Sequence, residues 1–148
     1  MKRLPLLFGL IVAAAVPARA DDTYQVSKTD AVVAVGSPGK ASVTVSAKQG
    51  WHLNAEAPLT LKLASTPGLQ TDKTKLGRSD LALSTETQAR FDVGVTASEP
   101  GKKTLAADLG FVLCQDSACR PIKEKVSLVV DCADAKKAEP PKKAKKKS

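Results

Sequence analysis

The sequence holds one histidine, one methionine, one tryptophan, one tyrosine and three phenylalanines in 148 residues. A single histidine excludes a multi-histidine metal centre, and a mixed Cys/His zinc site would compete with a disulfide for the same thiols. His52, beside Trp51, is expected to be packed or hydrogen-bonded at a strand end rather than catalytic. Aromatic scarcity predicts an aliphatic core. There is no phosphate-cradling glycine loop and no nucleophile elbow, and the C-x-x-C of a thioredoxin-like protein is missing. No cofactor and no metal are expected. Beyond the first twenty residues, no apolar run approaches the roughly twenty residues of a bilayer-spanning helix. Cysteine is scarce as well, with only Cys114, Cys119 and Cys132.

What is present begins with a processing signal over residues 1–20. Lys2 and Arg3 precede the apolar run Leu4 to Val16, and Ala18-Arg19-Ala20 offers small residues where a signal peptidase reads them. The mature chain is expected to start at Asp21, exported to the periplasm and soluble. No lipidation cysteine follows the cleavage site. Export makes a close cysteine pair a disulfide by default.

The formal charge of +8 is concentrated at the ends. Residues 21–133 carry thirteen Lys/Arg and thirteen Asp/Glu, while the tail from Lys136 to Ser148 carries seven lysines against Glu139. A neutral body argues against a specific nucleic-acid-binding face. The tail, from 135 to 148, is Pro- and Lys-rich without apolar periodicity and is expected to be disordered. It is either merely solvated or a contact for anionic cell-surface polymers.

Between these ends, apolar residues alternate with polar ones in short runs. Val43 and Val45, then Leu59, Leu61 and Leu63, then Phe91, Val93 and Val95 each mark one face of a strand. Leu105 to Leu113 and Val126 to Val130 continue the pattern. Ser37-Pro38-Gly39-Lys40 reads as a turn, and 65–79 as a long surface connection. Seven to nine strands without an amphipathic helix predict an all-β fold, an immunoglobulin-like antiparallel β-sandwich spanning 21–134.

Cys114 and Cys119 sit between two strand-like runs, with residues 115–118 expected as the tip of a hairpin. Opposed residues in an antiparallel pair have Cα atoms about 4.5 or 5.5 Å apart, within the roughly 4.4–6.8 Å reach of a disulfide. We expect an exposed, reversible Cys114–Cys119 bridge. Arg120 and Lys123 would favour a thiolate nearby and Asp116 would oppose it. A purely structural clasp is the competing reading, although closing so short a loop stabilises by only roughly 2 kcal/mol. Cys132 shares the parity of Val126, Leu128 and Val130, and is expected to face the core as a free thiol, ahead of pairing with another molecule or acting as a third partner in exchange.

Trp51-His52-Leu53-Asn54-Ala55-Glu56-Ala57-Pro58, the leucines after it, Pro100-Gly101 and Cys114-x4-Cys119-x-Pro121 occur together in this order. With them, residues 24–131 resemble the N-terminal periplasmic domain of the DsbD thiol:disulfide interchange proteins. The resemblance implies an immunoglobulin-like domain whose cysteine pair relays electrons between protein partners through a mixed disulfide. It implies that Cys114 and Cys119 are the redox pair, that Pro121 belongs to its frame, and that the activity is of the protein-disulfide reductase type. The implied partners are thioredoxin-like or other periplasmic oxidoreductases, fed by a separate membrane electron conduit. The alternative is a non-enzymatic immunoglobulin-like binding or adaptor domain with a structural disulfide and a lysine-rich anchoring tail.

Overall fold

Alternation of small β-branched and polar residues builds two sheets that face each other across an aliphatic core. The computed structural model describes residues 23–48 and 50–134. The expected leader over 1–20 and the tail over 135–148 lie outside the described residues. The strands are β1 (Tyr24–Thr29), β2 (Ala31–Ala34), β3 (Pro38–Ala47), β4 (His52–Leu53), β5 (Thr60–Leu63) and β6 (Leu69–Thr71). They continue as β7 (Lys75–Leu76), β8 (Leu81–Ser84), β9 (Gln88–Ala97), β10 (Gly101–Gln115) and β11 (Ala118–Ala133). A 3-10 turn, Arg78–Asp80, precedes β8. No helix among the described residues is long and apolar enough to cross a membrane.

One sheet has the order β1-β3-β9-β6, with β8 also on β9; the other runs β2-β11-β10-β5-β7, with β4 also on β10. Every pairing is antiparallel except β2 with β11. This is an immunoglobulin-like β-sandwich. Its inner faces are the alternating residues read from the sequence: Val43 and Val45, Phe91 to Val95, Leu105 to Leu113, and Val126 to Val130 are all buried. Tyr24 packs edge-on to Phe111 at 5.2 Å between ring centroids, and its hydroxyl donates to the Glu124 carboxylate.

The first edge of the sandwich is made by one stretch that changes sheets at Asp30. β1 belongs to one sheet and β2 to the other, so the chain must cross between them at that residue. β2 begins pairing at Val130, leaving the Val129 N–H unpaired by strand; the Asp30 carboxylate accepts it at 2.8 Å. That contact also orients the edge of β11. The Val129 N–H points away from β10, and the two-residue period of a strand sends the backbone groups of 119, 121, 123, 125 and 127 the same way. Pro121 therefore lacks its N–H on the open edge and costs the β10–β11 ladder nothing.

The structure departs from the sequence reading in four places. Among the described residues eleven strands form instead of seven to nine. The turn expected at 37–40 falls at 35–37, where Gly36 has φ +81°, and Pro38 instead opens β3, a position that needs no ladder donor. Gly39 lies inside β3 because the chain passes too close for a side chain: a Cβ there would sit 1.8 Å from Val33 Cγ1. The supposed connection over 65–79 contains β6 and β7, whose buried Leu69 and Leu76 fasten it to the two sheets. Finally, the hairpin tip is two residues, not four, since Gln115 pairs with Ala118 and only Asp116 and Ser117 form the turn.

Candidate functional site

The β10–β11 hairpin runs the length of its sheet, and Cys114 is directly opposite Cys119 one pair below the turn. The two are disulfide-bonded, with Cα atoms 4.0 Å apart. Core-facing residues of β10 are odd-numbered and those of β11 even-numbered, so the bridge lies on the outer face of its sheet. The expectation of an exposed bridge holds for one sulfur only. Cys119 is exposed, but Cys114 is 6% exposed and counts among the buried residues.

The burial of Cys114 has a local cause. β4 pairs with β10 on the side away from β11, placing His52 opposite Cys114 and Leu53 opposite Leu113. The chain then continues along β10 to Asn54, whose N–H bonds the Val112 carbonyl at 2.9 Å. Asn54 Nδ2 donates to Cys114 Sγ at 3.3 Å, while its Oδ1 accepts from the N–H groups of Glu56 (2.8 Å) and Ala57 (3.1 Å). Two backbone donors on Oδ1 fix which end of the amide faces the sulfur. Arg78 secures the same loop by donating to the carbonyls of Asn54 and Ala57. Two hydrogen bonds hold the side-chain amide itself, and three more hold the backbone of its loop.

Arg120 is placed differently from the sequence reading. It follows Cys119 but projects from the opposite face of β11, where its guanidinium lies 5.7 Å from the Trp51 ring centroid. Lys123 is on the disulfide's face, but four residues down the strand, roughly 13 Å away. The polar group adjacent to the buried sulfur is thus the Asn54 amide, with His52 on the neighbouring strand. The sequence pattern points to neither, since a lone histidine beside Trp51 reads as a packed residue at a strand end. No local motif marks a contact between residues sixty positions apart; Asn54 is a single polar side chain just beyond the two-residue β4.

Pro121 sits next to the bridge on the outer face, opposite Val112. Cys132 is far from it. It pairs with Gly101 at the other end of the hairpin, roughly 40 Å from the bridge along the strand. The thiol is free and buried, and burial pushes it above the usual thiol range, against the smaller opposing pull of Lys103. The core position matches the sequence reading, and the separation keeps Cys132 out of the Cys114–Cys119 site. Among the described residues no cluster of three or more His, Cys, Asp or Glu is arranged to hold a metal ion.

No family model and no curated protein matches the chain. Among solved structures it is similar in outline to AggA, the major subunit of aggregative adherence fimbriae type I of Escherichia coli. That likeness has 10% identity over 74% of this chain and 94% of that one, at a TM-score of 0.38. A PapD-like domain of human CEP192 is similar at 11% identity, 86% and 99% coverage and a TM-score of 0.38. A cohesin module of a Clostridium perfringens family 33 glycoside hydrolase is similar at 13% identity, 75% and 97% coverage and a TM-score of 0.32. At this level of likeness the neighbours bear on no functional question.

Proposed function

We propose that this chain is a protein-binding β-sandwich that meets its partner at the hairpin end, and that contact there is made by thiol–disulfide exchange at Cys114–Cys119. The first half asks only for the fold and its bridge, and it serves a non-enzymatic adaptor equally well. The second half is carried by one observation: the two sulfurs are unequal, Cys119 being exposed while Cys114 is buried against the Asn54 amide.

That inequality gives exchange a direction. A partner thiolate attacks Cys119 Sγ, forming a partner–Cys119 bond while the Cys119–Cys114 bond breaks. Cys114 leaves as a thiolate, and a hydrogen bond from Asn54 Nδ2 stabilises that charge where burial alone would oppose it. The partner's second thiolate then displaces Cys119, so the partner is oxidised to a disulfide and this chain is reduced by two electrons, its thiolates taking protons from water. In this reading the chain is exported to the periplasm. Its partners are thioredoxin-like oxidoreductases with a membrane conduit as electron source, as the resemblance to the DsbD N-terminal domain implies, and Pro121 frames the open sulfur.

The test is a trap. Cys114→Ser retains the open thiol without its resolving partner, and its Cys119 thiolate is expected to attack the disulfide form of a thioredoxin-fold protein and accumulate a mixed disulfide, the partner's second sulfur leaving as a thiolate. Cys119→Ser, leaving only the buried thiol, is expected to accumulate far less. If both folded variants fail to trap, the adaptor reading with a structural bridge replaces exchange.

A further inference from the structure

The outer face that carries the bridge changes character with distance from it. Next to the disulfide lie Val112 and Pro121; the following row has Thr60, Gly110 and Lys123; the next has Lys75, Lys62, Asp108 and Lys125 across four strands. Gly110 contributes no side chain, and the rows around it border a shallow groove of about 410 Å³. The outer face of the opposite sheet is different, presenting mainly Ser42, Thr44, Ser46 and Gln88, with Lys40 and Arg90 both paired to Asp92.

Four of the six described lysines without an ion-pair carboxylate lie in this band, the other two being Lys48 and Lys102. Lys28, Lys40, Lys73 and Lys103 each have a carboxylate within ion-pair distance. Among the described residues, Lys62, Lys75, Lys123 and Lys125 have none. Lys62 and Lys75 are moreover directly opposed across β5 and β7, a like-charge cross-strand pair that destabilises a sheet. Asp108 stands between Lys62 and Lys125, leaving four positive charges against one on this outer face; Glu124, which also borders the groove, is on the inward-facing parity of β11 and accepts from the Tyr24 hydroxyl. Two strand spacings separate Lys62 from Lys125 by about 10 Å, so they act on an approaching partner as one patch at moderate salt.

We propose that this band is an electrostatic docking surface for a partner protein bearing a cluster of surface carboxylates. It rests on the reading that a partner meets the hairpin end. A partner anchored on Lys62, Lys123 and Lys125 would lie over Val112 and Pro121 and reach Cys119, and its carboxylates would relieve the repulsion between Lys62 and Lys75. An acidic protein surface is favoured over a regular polyanion because the positive charges surround Asp108, which a continuous line of negative charge would have to cross.

The test uses the full mature chain and non-covalent binding, so it is independent of whether the bridge exchanges. A fluorescein-labelled, cysteine-free peptide with six glutamates is titrated by anisotropy, beside its glutamine counterpart and labelled heparin. The glutamate peptide is expected to bind about tenfold more tightly than the glutamine one at low salt, and to lose that advantage at high salt. Lys62→Gln/Lys123→Gln/Lys125→Gln is expected to weaken it about fivefold or more, whereas Lys40→Gln/Lys48→Gln/Lys136→Gln, with equal charge removed, changes it less than about twofold. Equal losses in the two triple variants would overturn the proposal, as would heparin binding more tightly than the peptide through the same three lysines.

Discussion

Removing the bridge with Cys114→Ala/Cys119→Ala should lower stability without unfolding the protein. The loop it closes contains six residues, Cys114 to Cys119, which in the chain-entropy treatment corresponds to about 2 kcal/mol. The ladder beneath it consists of fifteen opposed pairs from Gly101–Cys132 to Gln115–Ala118, with Leu105, Leu109, Leu113, Leu128 and Val130 almost fully buried along it. Each such side chain contributes about 1.5–3 kcal/mol, so the bridge weighs no more than one core residue. With an unfolding entropy of about 2.1 cal/mol/K per residue over roughly 110 residues, 2 kcal/mol lowers the Tm by roughly 9 °C. Thermal denaturation followed by circular dichroism, on the double variant and on the wild type with and without reductant, reads this directly. Loss of the β signal at room temperature, or a fall above about 20 °C, would refute the reasoning by making the bridge the fastener of the fold.

Four further outcomes follow from the same geometry. Asn54→Asp keeps the acceptors for the Glu56 and Ala57 N–H groups but removes the donor to Cys114. A hydrogen bond to a thiolate is worth about 1.5–3 kcal/mol, so the reduction potential should fall by about 30–60 mV or more, measured by equilibration with glutathione. Leu128→Ala, at a fully buried position, should cost about 2–5 kcal/mol in urea denaturation. The Val129 N–H, and then Lys28, hold the Asp30 carboxyl below its ordinary value; its contribution is complete above the usual carboxylate range and is lost as pH falls through the lowered value. Asp30→Asn should therefore flatten the acid limb of the stability profile. Burial raises the Cys132 thiol, so its contribution is complete below the ordinary thiol range and declines as pH rises through the raised value. Cys132→Ala should remove that alkaline decline, and a thiol reagent should modify Cys132 in the native wild type far more slowly than after unfolding.

The long strands were legible because a buried face forces period two. Val43 and Val45, Phe91 to Val95, and Leu105 to Leu113 each occupy one side of the core, as their alternation predicts. The stretch from 65 to 79 was not legible, because β6 and β7 are three and two residues long and bury one leucine each, too few positions for a period to show. The bridge itself was readable from Cys114 and Cys119, but the tip was misjudged: Gln115 and Ala118 are exposed and polar or small, so nothing in their side chains announces that they pair. What gives the site its chemistry was hidden for a different reason. The Asn54 contact and the burial of Cys114 depend on β4 docking against β10 across sixty residues of chain, and Arg120 turns to Trp51 because strand alternation separates neighbours in sequence onto opposite faces.

Redox equilibration of Cys114–Cys119 against glutathione buffers, with the thiols counted by alkylation and mass, tests the exchange reading most directly. A midpoint above about −300 mV is predicted, in the range of disulfides that partners can open. A midpoint below about −300 mV, characteristic of bridges kept closed in secreted proteins, would contradict it.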